Sequence, residues 1–408
     1  MSVSLESLIE KPLVDPALFA LDPSVVFLNH GSFGACPLAV LEFQSELRQR
    51  MEWQPVQFLQ RDLEGLLDDA RVSLGDFVGA DPDDLVFVAN ATAGVNTVLR
   101  SIPFEPGDEL LVSNHEYNAC RNAIHFAAEV RGAKVITIDL PFPVKSEDEI
   151  VEAVMSYVTD KTRLLLIDHV TSQTGLVLPI KRIIDLLQER GIETLIDGAH
   201  APGMVPLNLR ELGATYYTGN CHKWICAPKS SGLLYVQKDK QEQIRPLTIS
   251  HGANSPRTDR SRFQIEFAWM GTRDPTAALT VPFALNYLEE TVEGGWSQLM
   301  KRNRHLAITA RRIYCNSYNT PIPSPDSMIG SLVSIPIFPA RVPECEPGPY
   351  YIDYWQAELM KRCSIEMPII PWFTYPDRLM RFSCQVYNFL SQYDLLGEGI
   401  KELIDDQV

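Results

Sequence analysis

An acid and a lysine close two neighbouring apolar runs in this chain. Thr194–Ile196 ends at Asp197, Thr215–Tyr217 leads into His222-Lys223, and a third run, Leu233–Val236, follows Ser230-Ser231-Gly232. If the runs are strands of an α/β sheet, residues at their carboxyl ends face one crevice, where such folds bind ligands. A carboxylate opposite an amine suits pyridoxal phosphate (PLP). The lysine forms a Schiff base with its aldehyde, and the acid keeps its ring nitrogen protonated so that the ring accepts electrons. Taken singly, Asp197 could cap a turn, and Lys223 could pair with a surface acid; their order and spacing with the motifs around them carry the argument.

Asp197-Gly-Ala-His200, then Asn220-Cys-His222-Lys223-Trp224, then Pro228-Lys229 before a strand, resembles the class V aminotransferase family of PLP enzymes. The resemblance spans roughly residues 25–395 and implies PLP fold type I: an α/β protein with a mixed, mostly parallel seven-stranded sheet and a smaller α+β C-terminal domain. It divides the chain into an N-terminal segment at the mouth of the site (1–40), a large PLP-binding domain (41–293) and a small domain (294–408). Lys223 is the implied Schiff-base lysine. Lys229, in a loop after Pro228, is the competing candidate, and Lys223 fits the pattern because it directly follows His222. The resemblance assigns Asp197 to the ring nitrogen, His200 to the ring hydroxyl or the phosphate, and Asn220 and His222 to the phosphate.

The elements that must position these groups follow along the chain. Phe27-Leu28-Asn29-His30-Gly31-Ser32-Phe33-Gly34 reads as a glycine-flanked loop that lets backbone approach a ligand; by resemblance Asn29 helps hold a substrate carboxylate. Helical patterns run from Leu38 to Arg50 and from Phe58 to Val78, with a break at Pro55. A strand over Asp84–Ala89 meets Asn90-Ala91-Thr92-Ala93-Gly94, a strand-to-helix turn whose first N–H groups can hold an anion. Thr92 could equally cap that helix; in the family this turn is the phosphate site, with Thr92 and Ala93 as donors.

After strand Glu109–Ser113, the ring of Tyr117 in His115-Glu116-Tyr117 can stack on the cofactor. The desulfurases of the family carry histidine there, a better acid or base near neutral pH. Strand Arg163–Val170 ends in Asp168-His169-Val170-Thr171-Ser172-Gln173-Thr174-Gly175. Ser172 stands where the family usually has an asparagine bonded to the ring hydroxyl, and a hydroxyl can make the same bond. Asp168 and His115 read as structural. Residues 241–262 read as a polar loop. Gly271-Thr272 resembles a pair that donates to the phosphate of the neighbouring subunit, implying a homodimer; a helix start before Ala277–Thr291 is compatible. Beyond Gly294 come a helix over Trp296–Ile313, strands at Leu332–Ile337 and Leu379–Ser383, the loop Pro339–Gly348, and a helix from Ile352 to Cys363. In Arg378-Leu-Met-Arg381-Phe-Ser, the planar fork of Arg381 suits a substrate carboxylate, with Arg378 the alternative.

Composition bounds the rest. The 408 residues, 45% apolar and 22% charged, are those of an ordinary globular protein with room for two domains. A formal net charge of −16 argues against nucleic acid or an anionic membrane as partner. The N-terminus lacks a basic region followed by a sustained apolar run, so no signal peptide is expected, and no apolar window suggests a membrane span. The eight cysteines contain no C-x-x-C pair, which disfavours zinc or a disulfide framework and fits a cytoplasmic setting; no metal is expected.

The resemblance also bounds the reaction. Desulfurases of the family need a nucleophilic cysteine before the carboxylate-binding arginine, and Cys363-Ser-Ile-Glu-Met367-Pro368 carries none beside Pro368; Cys363 and Cys345 remain nearby. Tyr117, Ser172, the Ile-Glu-Met-Pro run and Trp372 resemble the isopenicillin N epimerase group, so the expected reaction is epimerisation at the α-carbon of an amino acid. A C–S lyase is the second reading and an aminotransferase the third. A catalytically silent relative is disfavoured, since it would have no need of Lys223, Asp197 and Arg381 together.

Overall fold

The computed structural model describes residues 5–337, 352–372 and 377–406; the loop Pro339–Gly348 and Cys345 lie outside them. Among the described residues twelve strands are present: β1 (Val26–Phe27), β2 (Leu85–Val88), β3 (Glu109–Ser113), β4 (Lys134–Ile138), β5 (Thr162–Asp168), β6 (Glu193–Gly198), β7 (Tyr216–Asn220), β8 (Gly232–Val236), β9 (Leu332–Ile337), β10 (Ile365–Glu366), β11 (Ile369–Pro371) and β12 (Arg378–Ser383). Seven form the large sheet in the order β2-β8-β7-β6-β5-β3-β4. Only β8 runs against the others, pairing antiparallel with β2 and β7. The sheet is therefore mixed and mostly parallel, as expected.

Continuous apolar runs such as Leu164–Ile167 form the middle strands because both sheet faces are covered by helices. Alternation then separates the two faces. Ile167, Ile196 and Tyr217 enter one apolar cluster, with the helices Leu63–Val78 and Ile180–Gln188. Leu166, Leu195 and Tyr216 enter the other, with the helices Ala91–Ser101 and Asn118–Arg131. Asp168 and Asp197 come next in β5 and β6 and are register partners. Alternation sends both carboxylates to the face of those last two helices.

A three-stranded antiparallel sheet, β11-β12-β9, forms a second, C-terminal layer. Its core gathers Val333, Ile335, Met380, Phe382, Tyr393 and Ile400 together with Leu28 from the N-terminal segment. That segment is tied in twice. β1 pairs parallel with β10, and the buried guanidinium of Arg302 donates to the carbonyls of Leu8, Lys11, Gln385 and Asn388. Charge-assisted bonds to four carbonyls satisfy a cation that has no acid partner among the described residues.

Several local expectations differ from the structure. Residues His30–Phe33 form a helical turn, held by Gly31 N–H donating to Ser383 Oγ at 2.9 Å, a tertiary bond invisible to local pattern. The break before Phe58 falls at Gln54, and helical backbone resumes through a π-helical stretch, Gln57–Asp62. Residues 241–262 include the 3₁₀ turn His251–Asn254, and the helix expected over Ala277–Thr291 is divided into Thr276–Leu279 and Val281–Thr291.

Candidate active site

Lys223 lies in the turn after β7, half-buried. Its carbonyl is bound by His30 Nε2 at 2.9 Å, and His30 Nδ1 meets Tyr387 Oη at 2.8 Å. The amine Nζ lies 2.9 Å from His200 Nε2, while His200 Nδ1 accepts from the indole of Trp224 at 3.3 Å. An indole N–H only donates, so Nδ1 of His200 carries no hydrogen, and the proton of a neutral ring sits on Nε2. That nitrogen then donates to Lys223, which requires an amine with a free lone pair. The protonation equilibrium agrees: burial first, then the Arg381 charge, push Lys223 from the ordinary lysine range down to about 7, and burial and the Lys223 charge hold His200 well below the usual imidazole range. Lys229 is exposed and donates to the Gly34 carbonyl at 3.1 Å. The nucleophilic form of a lysine is its neutral amine, so capture of an added aldehyde by Lys223 should accelerate as pH rises through about 7 and level off above it. A stopped-flow pH series checks this; a rate still climbing in proportion to hydroxide near the ordinary lysine range would refute it.

Asp197, at the end of β6, is fully buried. Its Oδ1 accepts from Ala199 N–H at 2.9 Å and its Oδ2 from the Cys120 thiol at 3.1 Å. Burial raises its pKa, while Lys223 among other groups opposes the rise. The same amine opposes the larger rise at Asp168, so Lys223 shares one electrostatic site with both acids. Asp168, expected to be structural, stands beside Asp197, buried, with Oδ2 lacking a hydrogen-bond partner among the described residues.

Across the crevice, Ala91–Ser101 presents its N-terminus. Asn220 Oδ1 accepts from Ala91 N–H and Asn90 Oδ1 from Ala93 N–H, each at 2.9 Å. Ala93 is thus already engaged, and Thr92 stands half-buried between the two. His222 Nδ1 lies 3.1 Å from the Ser231 carbonyl; burial holds that imidazole down to about 4, so it is neutral. Tyr117 is 47% exposed, at the start of Asn118–Arg131, and close enough to Arg381 to influence its charge. Thr272 is exposed, and no hydrogen bond joins it to this cluster among the described residues.

Arg381, on β12, is buried and has no carboxylate partner among the described residues. Its Nη1 donates to the Ser172 carbonyl at 2.6 Å and lies 3.4 Å from Ser172 Oγ; its Nη2 donates to Ser32 Oγ at 2.7 Å. Ser32 passes its hydrogen to Asn29 Oδ1 at 2.5 Å, and Asn29 donates to Glu366 Oε1 at 3.2 Å. Ser172 is therefore engaged with Arg381. Arg378, the alternative, is locked onto buried Asp353 at 2.9 Å and covers the Trp355 ring. A buried cation with neutral partners is costly unless an anion joins it; Arg381 meets that description and Arg378 does not. Ser32, Cys120 and Glu116 escaped the sequence reading. Ser32 was legible only as part of the Gly31–Gly34 loop, and Glu116 only as the neighbour of Tyr117.

An amine, a buried carboxylate, a helix N-terminus and an unpaired guanidinium thus surround one crevice, the donor set that a phosphorylated pyridine aldehyde with an amino acid substrate requires. The comparisons agree. Residues 43–337 match the family model described as aminotransferase class-V. The chain belongs to the class-V aminotransferase family. This family consists of PLP-dependent enzymes. The chain is 35% identical to the isopenicillin N epimerase of Amycolatopsis lactamdurans, over 94% of this chain and 96% of that one. It is 30% identical to a probable chloroplastic L-cysteine desulfhydrase of Arabidopsis thaliana, over 94% and 84%. The Escherichia coli cysteine desulfurase CsdA shares the fold, with a TM-score of 0.76 at 19% identity and full coverage of both chains. Among the described residues, no helix of this class-V enzyme is long and apolar enough to cross a membrane.

Proposed function

We propose that this class-V enzyme binds PLP between Asp197 and Lys223 and epimerises the α-carbon of an amino acid, a reading supported by its 35% identity to an isopenicillin N epimerase. The observation that carries an amino acid substrate is the buried Arg381 fork, without an acid partner among the described residues and close enough to Lys223 to lower its pKa. Bound PLP supplies the sink for the electron pair left when the α-proton departs. Asp197 would pair with the ring nitrogen, and Tyr117 and His200 would hold the ring and its hydroxyl. Thr92, Ala93, Asn220 and His222 would hold the phosphate, with Thr272 of a second subunit donating to it. Ser172 and Asn29 act through Arg381, which holds the substrate carboxylate in two parallel bonds. Lys223, neutral and oriented by His200, takes the α-proton onto Nζ as general base. In this reading residues 1–40 form the mouth, 41–293 the cofactor domain and 294–408 the small domain.

A second reading, a C–S lyase, is supported by the 30% identity to an L-cysteine desulfhydrase and uses the same first proton transfer. A desulfurase is less supported: Cys363 Sγ packs near Gly399 of the C-terminal helix, 3.0 Å from where a Cβ there would stand. A panel of amino acids and cysteine conjugates, scored separately for loss of chirality, keto acid and sulfide, tests the proposal. Exchange and inversion at the α-carbon in excess of both other products is the expected result; sulfide with stoichiometric keto acid would transfer the enzyme to the lyase reading.

A further inference from the structure

Three acids crowd the floor of this crevice. Glu116 is fully buried after β3, Asp168 and Asp197 are register partners at the ends of β5 and β6, and the Cys120 thiol stands over them from Asn118–Arg131. Single ligand atoms of Glu116, Cys120 and Asp197 all lie within 4.8 Å of one another. Both Glu116 oxygens and Oδ2 of Asp168 are buried without a side-chain donor among the described residues. Ionised carboxylates only accept, and several facing one another away from water are untenable. One hydrogen converts an orphaned acceptor into a donor and removes a charge. Asp197 is already served by Cys120 and Ala199, whereas no side chain among the described residues donates to Glu116.

We propose that Glu116 keeps its proton in the folded protein and acts as a positioning residue, donating to the Asp168–Asp197 pair so that Asp197 can remain the anion beneath the ring nitrogen. The proposal rests on the assignment of that nitrogen to Asp197. The charged and titratable groups that bear on the cluster are Asp168, Asp197, Cys120 and, from the far side, Lys223. Burial first, then the Asp168 and Asp197 charges, hold Glu116 well above the usual carboxylate range. The sign follows. The folded state binds a proton that the unfolded chain releases above the ordinary glutamate range, so this group's contribution to stability declines as pH rises above that range.

The test is infrared difference spectroscopy of the full-length protein at neutral pH, with and without cofactor, on wild type, Glu116→Gln and Asp168→Asn. The expected result is a protonated-carboxyl C=O band in wild type that Glu116→Gln loses and Asp168→Asn retains. In the unfolding midpoint against pH, Glu116→Gln should also show about one proton fewer taken up on folding. Absence of the band in wild type, or its survival in Glu116→Gln, overturns the proposal. If Glu116→Gln does not fold, Asp168→Asn decides: a retained band supports Glu116 as the holder and a lost one places the proton on Asp168. A wild type that takes up no PLP would refute the cofactor assignment while leaving the infrared result to stand on its own.

Discussion

Lys223→Ala is expected to abolish turnover, by roughly 10⁴-fold or more, because it removes both the group that captures the aldehyde and the base that takes the α-proton. The loss should cover racemisation, keto-acid formation and sulfide release alike, since all three begin with the same proton transfer. The visible absorption band of the lysine-linked cofactor should vanish with it. His200 would keep its Trp224 donor, so the crevice should remain folded and the melting temperature near that of wild type. Turnover at near wild-type rate in the variant would mean that another amine, with exposed Lys229 the first candidate, does the chemistry.

Gly34→Ala should be the most damaging single methyl in the site. Gly34 holds φ +72° and ψ 162°, a region that essentially only glycine occupies. A Cβ there would stand 2.0 Å from the His222 carbonyl oxygen and 3.0 Å from Lys223 Cα. Strain and overpacking together should cost about 2–6 kcal/mol, and the backbone that must yield is the one carrying Lys223. Cofactor occupancy should therefore fall with stability. Gly107→Ala is the control: φ is +99°, but no atom lies within 4 Å of its Cβ, so it bears the strain alone. Equal effects of the two substitutions in thermal melting, with cofactor occupancy unchanged in both, would disprove the close approach.

The parts of this structure that were legible from local pattern share a physical origin. Apolar runs such as Leu164–Ile167 announced strands because the sheet is buried on both faces. Lys223 and Asp197 lie at neighbouring strand ends because strand ends in such folds converge. By contrast, Asn29–Gly34 looked like an open loop, and its helical turn depends on Ser383, far along the chain. Asp168 looked structural because nothing beside it in sequence hinted at Asp197 and Glu116 in space.

Residue types and short-range spacing thus determined, on their own, the α/β class and the strand ends at which Asp197 and Lys223 stand, since each is written within a strand and the few residues after it. Which side chains share hydrogen bonds was decided only by tertiary structure. Arg381 meets Ser172 across 209 positions and Ser32 across 349, while Arg378, three residues away on the same strand, is consumed by Asp353. Identical guanidinium groups thus acquire different chemistry from the partners that packing brings to them: a paired cation is spent on the fold, and an unpaired one remains free to bind.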